Sequence, residues 1–465
     1  MTTTIRTLKI APGPQGYPFF GSLPDFRRDP LTFYLNAQRQ FGDVIRFRGG
    51  PWRWYLLAHP DDVKHVLQDN HPNYRKGRFY DLLRPTLGEG LLTSEGRFWL
   101  QQRRLAQPAF HRQRLASFAT TMTDATARML ERWQVYARSG EPFNVAAEMM
   151  RLTLEVVGGT LFSTDVTGEA EAVGRALTVV IEYVNDLETR LFPLPPSIPT
   201  PANRRYRAAQ RTLDEVVRHV IDERRRAGTD RGDLLSMLLL AQDEETGASM
   251  NDRQLRDEVM TIFLAGHETT ANALAWTWYL LSKHPSAGRR LHAELADMLG
   301  GRRPTVEDLP RLNYARMVIE EALRLYPPVW GFGRQAITDD EVGGYFLPAN
   351  SLVVLSPYVT HRHPDFWENP EGFDPQRFMP QHAAARPRFA HFPFSGGPRQ
   401  CIGNAFAMME AQLILAMVAQ RYRLDLVPGH SVEAEPTVTL RPRHGILVTL
   451  HEQAGGGDFR PATVA

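Results

Sequence analysis

A chain of 465 residues with one cysteine, Cys401, cannot close an intrachain disulfide, and a multi-cysteine zinc or iron–sulfur site is excluded by arithmetic. Charge bias is missing as well. The 54 Lys+Arg against 52 Asp+Glu leave a formal net of +2, so no nucleic-acid partner held by phosphate neutralisation is expected. Met1 to Pro12 lacks both the charged-then-apolar pattern of a secretory leader and a spanning run. Later apolar stretches, Thr261–Leu281 and Ala405–Ala419, are interrupted by Glu268 and Glu410. They read as buried helices, with no transmembrane anchor and a cytoplasmic location.

Hydrophobic residues at 43% and aromatics at 10% supply a sizeable core and exclude global disorder. Length alone suggests about three structural units. The lead-in Ala11–Pro18 is too rich in Pro and Gly for helix. Val44–Arg48 and Arg53–Ala58, split by Gly49-Gly50-Pro51, read as a β-hairpin, and Pro60-Asp61-Asp62 opens a short helix. Helical periodicity then covers Leu115–Ser139, Ala146–Phe162, Glu169–Thr189, Asn203–Arg226, Asp233–Ala241 and Asp252–Lys283. Phe192–Pro201, with five prolines, breaks this pattern and suits either a lid or a plain connector. The run Arg224–Asp230 reads as a solvated charged turn. After Pro328 short strands dominate until a last strong helix, about Asn404 to Arg421.

The one thiol stands in Phe394-Ser395-Gly396-Gly397-Pro398-Arg399-Gln400-Cys401-Ile402-Gly403-Asn404, directly before that helix. Glycines on both sides let the backbone approach a flat partner. The helix start offers N–H groups and a positive dipole end, and Arg399 adds a cation, so thiolate is expected over thiol. A lone cysteine is more often a small buried hydrophobe, but that reading leaves the glycines, the arginine and the helix unexplained. The spacing of Phe394, Gly397, Arg399, Cys401 and Gly403 resembles the cysteine loop of the cytochrome P450 haem-thiolate monooxygenases. The resemblance implies Cys401 as the ligand of haem iron, its thiolate favouring O–O cleavage. It places Phe394 beside the sulfur, Arg399 on a haem propionate and Gly403 in the cofactor-binding loop.

Further segments resemble that family in its own order. Ala265-Gly266-His267-Glu268-Thr269-Thr270 is similar to its oxygen-activation segment, where the small Ala265 and Gly266 leave room above the haem. Glu268 and Thr269 would then be the catalytic acid and hydroxyl of a proton relay. Taken alone, Glu-Thr-Thr is an ordinary amphipathic turn, and His267 is read as structural. Trp99 and Arg103 resemble the propionate-binding helix, and Arg334 a further propionate arginine. Glu321 and Arg324, three apart on one helix face, with Arg377 match the trio that holds the fold around the haem. His361 and His363, two apart in a loop, are too weak a signal for a second metal.

The resemblance covers essentially the whole chain and overrides the three-unit estimate. It implies a mainly α fold with a small β-rich region, the family's triangular prism, in one catalytic domain over residues 1–453. Within it lie the lead-in and first helix (1–42), part of the β-rich region (43–59), the helical core (95–330), the strands, meander and cysteine loop (331–400), and the last helix and strands (401–453). Residues 454–465 are a flexible tail. The implied cofactor is haem b (iron protoporphyrin IX), with O2 as co-substrate. Electrons would come from NAD(P)H through a separate ferredoxin or flavoprotein reductase docking near Arg103, Arg104, Arg112, Arg386 and Arg388. A small hydrophobic substrate would meet Phe79, Leu82, Leu83, Leu92, Phe263 and Val329. A fatty acid leads, with Arg78 or Arg84 available for its carboxylate, and a terpenoid, steroid or aromatic substrate is the alternative. Rival readings are a peroxide-driven variant, a non-catalytic haem-thiolate binding protein, and a helical protein without haem.

Overall fold

The structure is a computed structural model that describes residues 9–50, 52–164, 170–189, 197–242, 247 and 249–453. Its centre is the helix Asp252–Lys283, which opens on a capping box: the Asn251 side chain accepts from the Gln254 amide and Gln254 answers on Asn251. Every turn of it carries buried side chains, so it runs through the core and shows no single solvent face. Helix Val145–Leu161 packs along it. The contact is close because Gly266 carries no Cβ: one built there would lie 3.1 Å from Val157. Thr153 Oγ1 donates to the His267 carbonyl at 2.9 Å across the same seam.

Helix Asn404–Arg421 is buried almost without interruption from Met409 to Gln420 and packs between Arg112–Ser139 and the central helix. To one side lies a five-stranded sheet in the order Val44–Gly49, Trp52–Leu57, Leu352–Leu355, Phe332–Ala336, Tyr74–Arg75. Its first pair is antiparallel, with Val44 opposite Leu57, and the join of Trp52–Leu57 to Leu352–Leu355 is parallel. The strands Ala434–Pro436 and Leu440–Pro442 form a separate hairpin. No helix among the described residues is long and apolar enough to cross a membrane.

Helix positions follow the periodicity closely, and the central helix has the expected bounds. The helix expected from Asn203 starts two residues earlier, at Pro201, because Thr200 caps it by accepting from the Asn203 amide. Residues 192–196 of the proline-rich break and 454–465 of the expected tail lie outside the described residues. The arginine run corrects the sequence reading. Arg224, Arg225 and Arg226 form the last turn of helix Pro201–Ala227, and Arg224 is 4% exposed. Its guanidinium grips Asp233 at 2.5–2.6 Å and the Phe162 carbonyl at 2.8 Å. A carboxylate nine residues on, brought back by the turn, allows this burial.

Candidate active site

Two open side chains interrupt the buried interior. On the central helix Ala265 is exposed between the buried Leu264 and His267. Cys401 is also exposed, although protein surrounds its sulfur; both facts hold if it lines an internal slot. The cysteine loop is held by the Cys401 amide donating to the Phe394 carbonyl at 3.0 Å. Gly397 makes the bend possible: its φ is +64°, and a Cβ there would lie 1.8 Å from the Leu67 carbonyl oxygen. Gly403 leaves the space beside the sulfur clear, the Cβ position lying 4.0 Å from Sγ.

Burial pushes the Cys401 thiol up, while the Gly403 amide and Arg103 pull it down. This corrects the expected electrostatics. The cation beside the sulfur is Arg103, whose Nη1 also donates to the Gln400 carbonyl at 3.1 Å. Arg399 turns away, donating to the Ser94 carbonyl at 2.9 Å and pairing with Glu95. Its guanidinium lies 3.8 Å from the Trp99 ring centroid.

Around Arg399 the structure gathers a second group of cations. Burial, Arg334 and Arg399 drive the Lys76 ammonium well below its ordinary range, with Glu95 opposing. Burial and Arg334 also lower Arg399, to about 10, again opposed by Glu95. Lys76 Nζ donates to the Leu92 carbonyl, and its own amide donates to Glu95 at 2.7 Å. Arg334 is buried and donates to the Gly333 carbonyl at 2.9 Å. Lys76, Arg103, Arg334 and Arg399 against Glu95 give formally 4 − 1 = +3. Such a set calls for anions from outside the chain. A soft thiol donor on a slot, a small-residue helix face and this charge excess fit haem with its two carboxylates.

On the Ala265 face of the central helix, Thr269 Oγ1 donates to the Ala265 carbonyl at 2.8 Å, four residues back. Glu268 points elsewhere. It is 6% exposed and accepts from Thr439 Oγ1 at 2.6 Å; burial raises its carboxyl, against the pull of Thr439 and Arg441. His267 is buried with Nδ1 on the Phe263 carbonyl at 2.9 Å, and burial lowers it to about 4. The structure brings Glu321, Arg324 and Arg377 together: Arg324 meets Glu321 at 2.6 and 2.8 Å, and Arg377 reaches Glu321 at 3.4 Å.

The apolar residues divide. Phe79, Leu82 and Leu92 are half-buried against the main core, and Val329 is half-buried. Leu83 is buried in that core. Phe263 corrects the expectation: it is 2% exposed, its ring 5.9 Å from both Phe162 and His267. Two residues before Ala265 is about 200° around a helix, so it packs on the opposite side. Arg84 is engaged by Glu89 at 3.1 Å, Asp81 at 3.5 Å and the Thr93 carbonyl. Of the expected docking arginines, Arg386 covers the Trp367 ring at 4.3 Å, Arg104 and Arg388 are exposed, and the Arg112 side chain lies outside the described residues.

Lys76, Glu95 and Thr439 were not read as site residues from the sequence. Lys76 carried one usable signal, being one of only four lysines in the chain.

Comparison with known proteins bears on all of this. The sequence model of the family described as "Cytochrome P450" matches residues 11–449. The chain is 40% identical to cyclooctatin synthase of Streptomyces melanosporofaciens, over 93% of each chain. It is 38% identical to cyclooctat-9-en-7-ol 5-monooxygenase of the same organism, over 91% of each. With pentalenene oxygenase of Streptomyces avermitilis it shares 37% identity over 94% of this chain and 96% of that one. Among solved structures, the haem domain of cytochrome P450DA superposes with a TM-score of 0.88 at 28% identity, covering 98% of this chain and all of that one.

Proposed function

This chain belongs to the cytochrome P450 family and is a monooxygenase, and from that premise we propose that it oxidises a polycyclic terpenoid hydrocarbon or alcohol. What carries the substrate class is the agreement of three relatives at 37–40% identity, whose names point to terpenoid chemistry. Of the two arginines considered for a fatty acid's carboxylate, Arg84 pairs with Glu89, and Arg78 stacks on Trp52 at 4.4 Å with its side chain exposed.

When bound, haem b supplies reductive activation of O2, one atom entering the substrate and the other leaving as water. In this reading Cys401 would hold the iron as thiolate; burial raises the thiol, the Gly403 amide and Arg103 offset part of that rise, and the metal's own charge would supply the rest. Trp99, Arg103, Arg334 and Arg399, with Lys76, would hold the propionates, and Phe394 and Gly403 would shape the cysteine loop that meets the cofactor. Ala265 would leave room for it on the central helix. Glu268 and Thr269 move protons toward the slot. Phe79, Leu82, Leu92 and Val329 supply the apolar wall. Glu321, Arg324 and Arg377 keep the meander on the core. Electrons arrive from NAD(P)H through a separate ferredoxin or flavoprotein.

Titrating the ferric holoenzyme tests the substrate class. Pentalenene or cyclooctat-9-en-7-ol should shift the Soret band as iron-bound water leaves, and palmitate should not. Tight binding and turnover of palmitate, with neither terpenoid shifting the spectrum, would overturn the proposal.

A further inference from the structure

One face of the central helix is stitched to the hairpin of Ala434–Pro436 and Leu440–Pro442. Glu268, Asn272 and Trp276 are spaced four apart and therefore line up. Glu268 Oε1 accepts from Thr439 Oγ1 at 2.6 Å. Asn272 Nδ2 donates to that same hydroxyl at 3.2 Å, and Trp276 Nε1 donates to the Leu440 carbonyl at 3.0 Å. The hydroxyl has one proton. Because Asn272 donates into it, that proton is directed at Glu268. Glu268, Asn272 and Thr439 are all at least nine-tenths buried.

Outward from this point the groups become progressively wetter. Arg441, two residues beyond Thr439, is the cation that Glu268 senses. Its side chain is 21% exposed and pairs with Glu435 at 2.7 Å, itself 26% exposed, and with Glu182 at 3.6 Å, 60% exposed. Inward, the residue after Glu268 is Thr269, on the Ala265 face of the helix. The reaction RH + O2 + 2e⁻ + 2H⁺ → ROH + H2O draws two protons per turnover into a site enclosed by core. A buried acid joined to the surface by a charged rim is a route for them.

We propose that Thr439 is a positioning residue for proton supply: its hydroxyl holds the Glu268 carboxyl against the hairpin, where protons entering at the Arg441, Glu435 and Glu182 rim reach it. The groups facing Glu268 are then Thr439, Asn272 and Arg441. Taking away the hydroxyl leaves the acid to burial and one more distant cation. The proposal rests on the monooxygenase reading but not on the identity of the substrate.

The test compares Thr439→Val, Thr439→Ser and Trp276→Phe as haem-loaded enzymes. Thr439→Val should lower the product formed per electron about fivefold, the weight of one hydrogen bond, with hydrogen peroxide making up the difference and a larger solvent isotope effect. Thr439→Ser should restore both. Trp276→Phe, which cuts the third stitch without touching Glu268, should leave both unchanged. Infrared spectra of resting enzyme with 13C-labelled glutamate supply a readout independent of turnover. The protonated carboxyl band lost in Glu268→Gln should rise in frequency, and its midpoint pH should rise, in Thr439→Val and return in Thr439→Ser. An unmoved band, or equal uncoupling in Trp276→Phe, would overturn the proposal. If no candidate substrate is turned over, the substrate assignment fails while the infrared result still decides this one.

Discussion

The two sides of the slot handle charge in opposite ways. Near the cysteine, Lys76, Arg103, Arg334 and Arg399 gather, and Glu95 faces Lys76 and Arg399. On the central helix the buried titratable groups include, besides His267, the acids Asp257, Glu268, beside a hydroxyl, and Glu258, which accepts from the Leu91 amide at 3.1 Å. Burial opposes charge on both sides, yet the results differ in sign. It lowers Arg399 to about 10 and pushes Glu258 up to about 8. Crowded cations can be relieved by added anions, which a dicarboxylate cofactor brings. Buried acids raised above their ordinary range can hold and hand on protons, which a proton-consuming reaction needs. One side is built to hold a ligand and the other to exchange with solvent.

The largest effect should come from the residue that faces the slot from the cation side. Cys401→Ala should lose the strongly red-shifted Soret band of the reduced carbonyl complex and all measurable oxygenation; keeping that band would break the assignment of the sulfur to iron. Lys76→Met should be the next largest. If the cations exist to hold a dianion, removing one charge-assisted bond should speed haem loss about tenfold to a hundredfold, as measured by transfer to apomyoglobin. The same substitution should stabilise the haem-free protein, because a repelled cation is gone. Equal haem retention by the variant and the parent would remove Lys76 from the propionate set.

These two residues also show what was legible in the chain. Cys401 could be read because its signal is local: five fixed positions within ten residues, followed by a helix. Glu321 and Arg324 had the same advantage, being three apart on one helix. Most helices were readable because a 3.6-residue period survives burial. Lys76 and Thr439 belong to no local pattern. They matter only because the chain returns, Lys76 to Arg399 more than three hundred residues on and Thr439 to Glu268 at a separation of 171. Arg399 was found, but its immediate partner was not, since Glu95 lies on another segment. Phe263 failed for a different reason: family position placed it near the slot, and the helical rotation from Ala265 placed it against Phe162. Motifs located the chemistry; tertiary return decided which charges sit together.

The smallest effect sharpens the acid side of the contrast. Segment 88–92 docks on the central helix, with the Glu89 amide on Asp257 at 2.9 Å and the Leu91 amide on Glu258. Gly90 allows the approach, since a Cβ there would lie 2.2 Å from Thr261 Oγ1. Burial raises Glu258 from its ordinary 4.5 to about 8; the Leu91 amide opposes and the Asp257 charge adds to the rise. Between those pH values the folded state keeps a proton that the unfolded chain releases. The stability from that proton is therefore full below about pH 4.5 and is lost as pH rises through 8, by about 1.4 kcal/mol per unit. Glu258→Gln preserves an acceptor for Leu91 and removes the titration. Urea midpoints of parent and variant should nearly coincide at about pH 5, and the variant should gain with each unit up to about pH 8. The raised Asp62, at about 6, slopes both proteins alike and cancels in the difference. A gap that stays constant with pH would mean that Glu258 carries no proton in the folded chain, and the acid side would then rest on Glu268 alone.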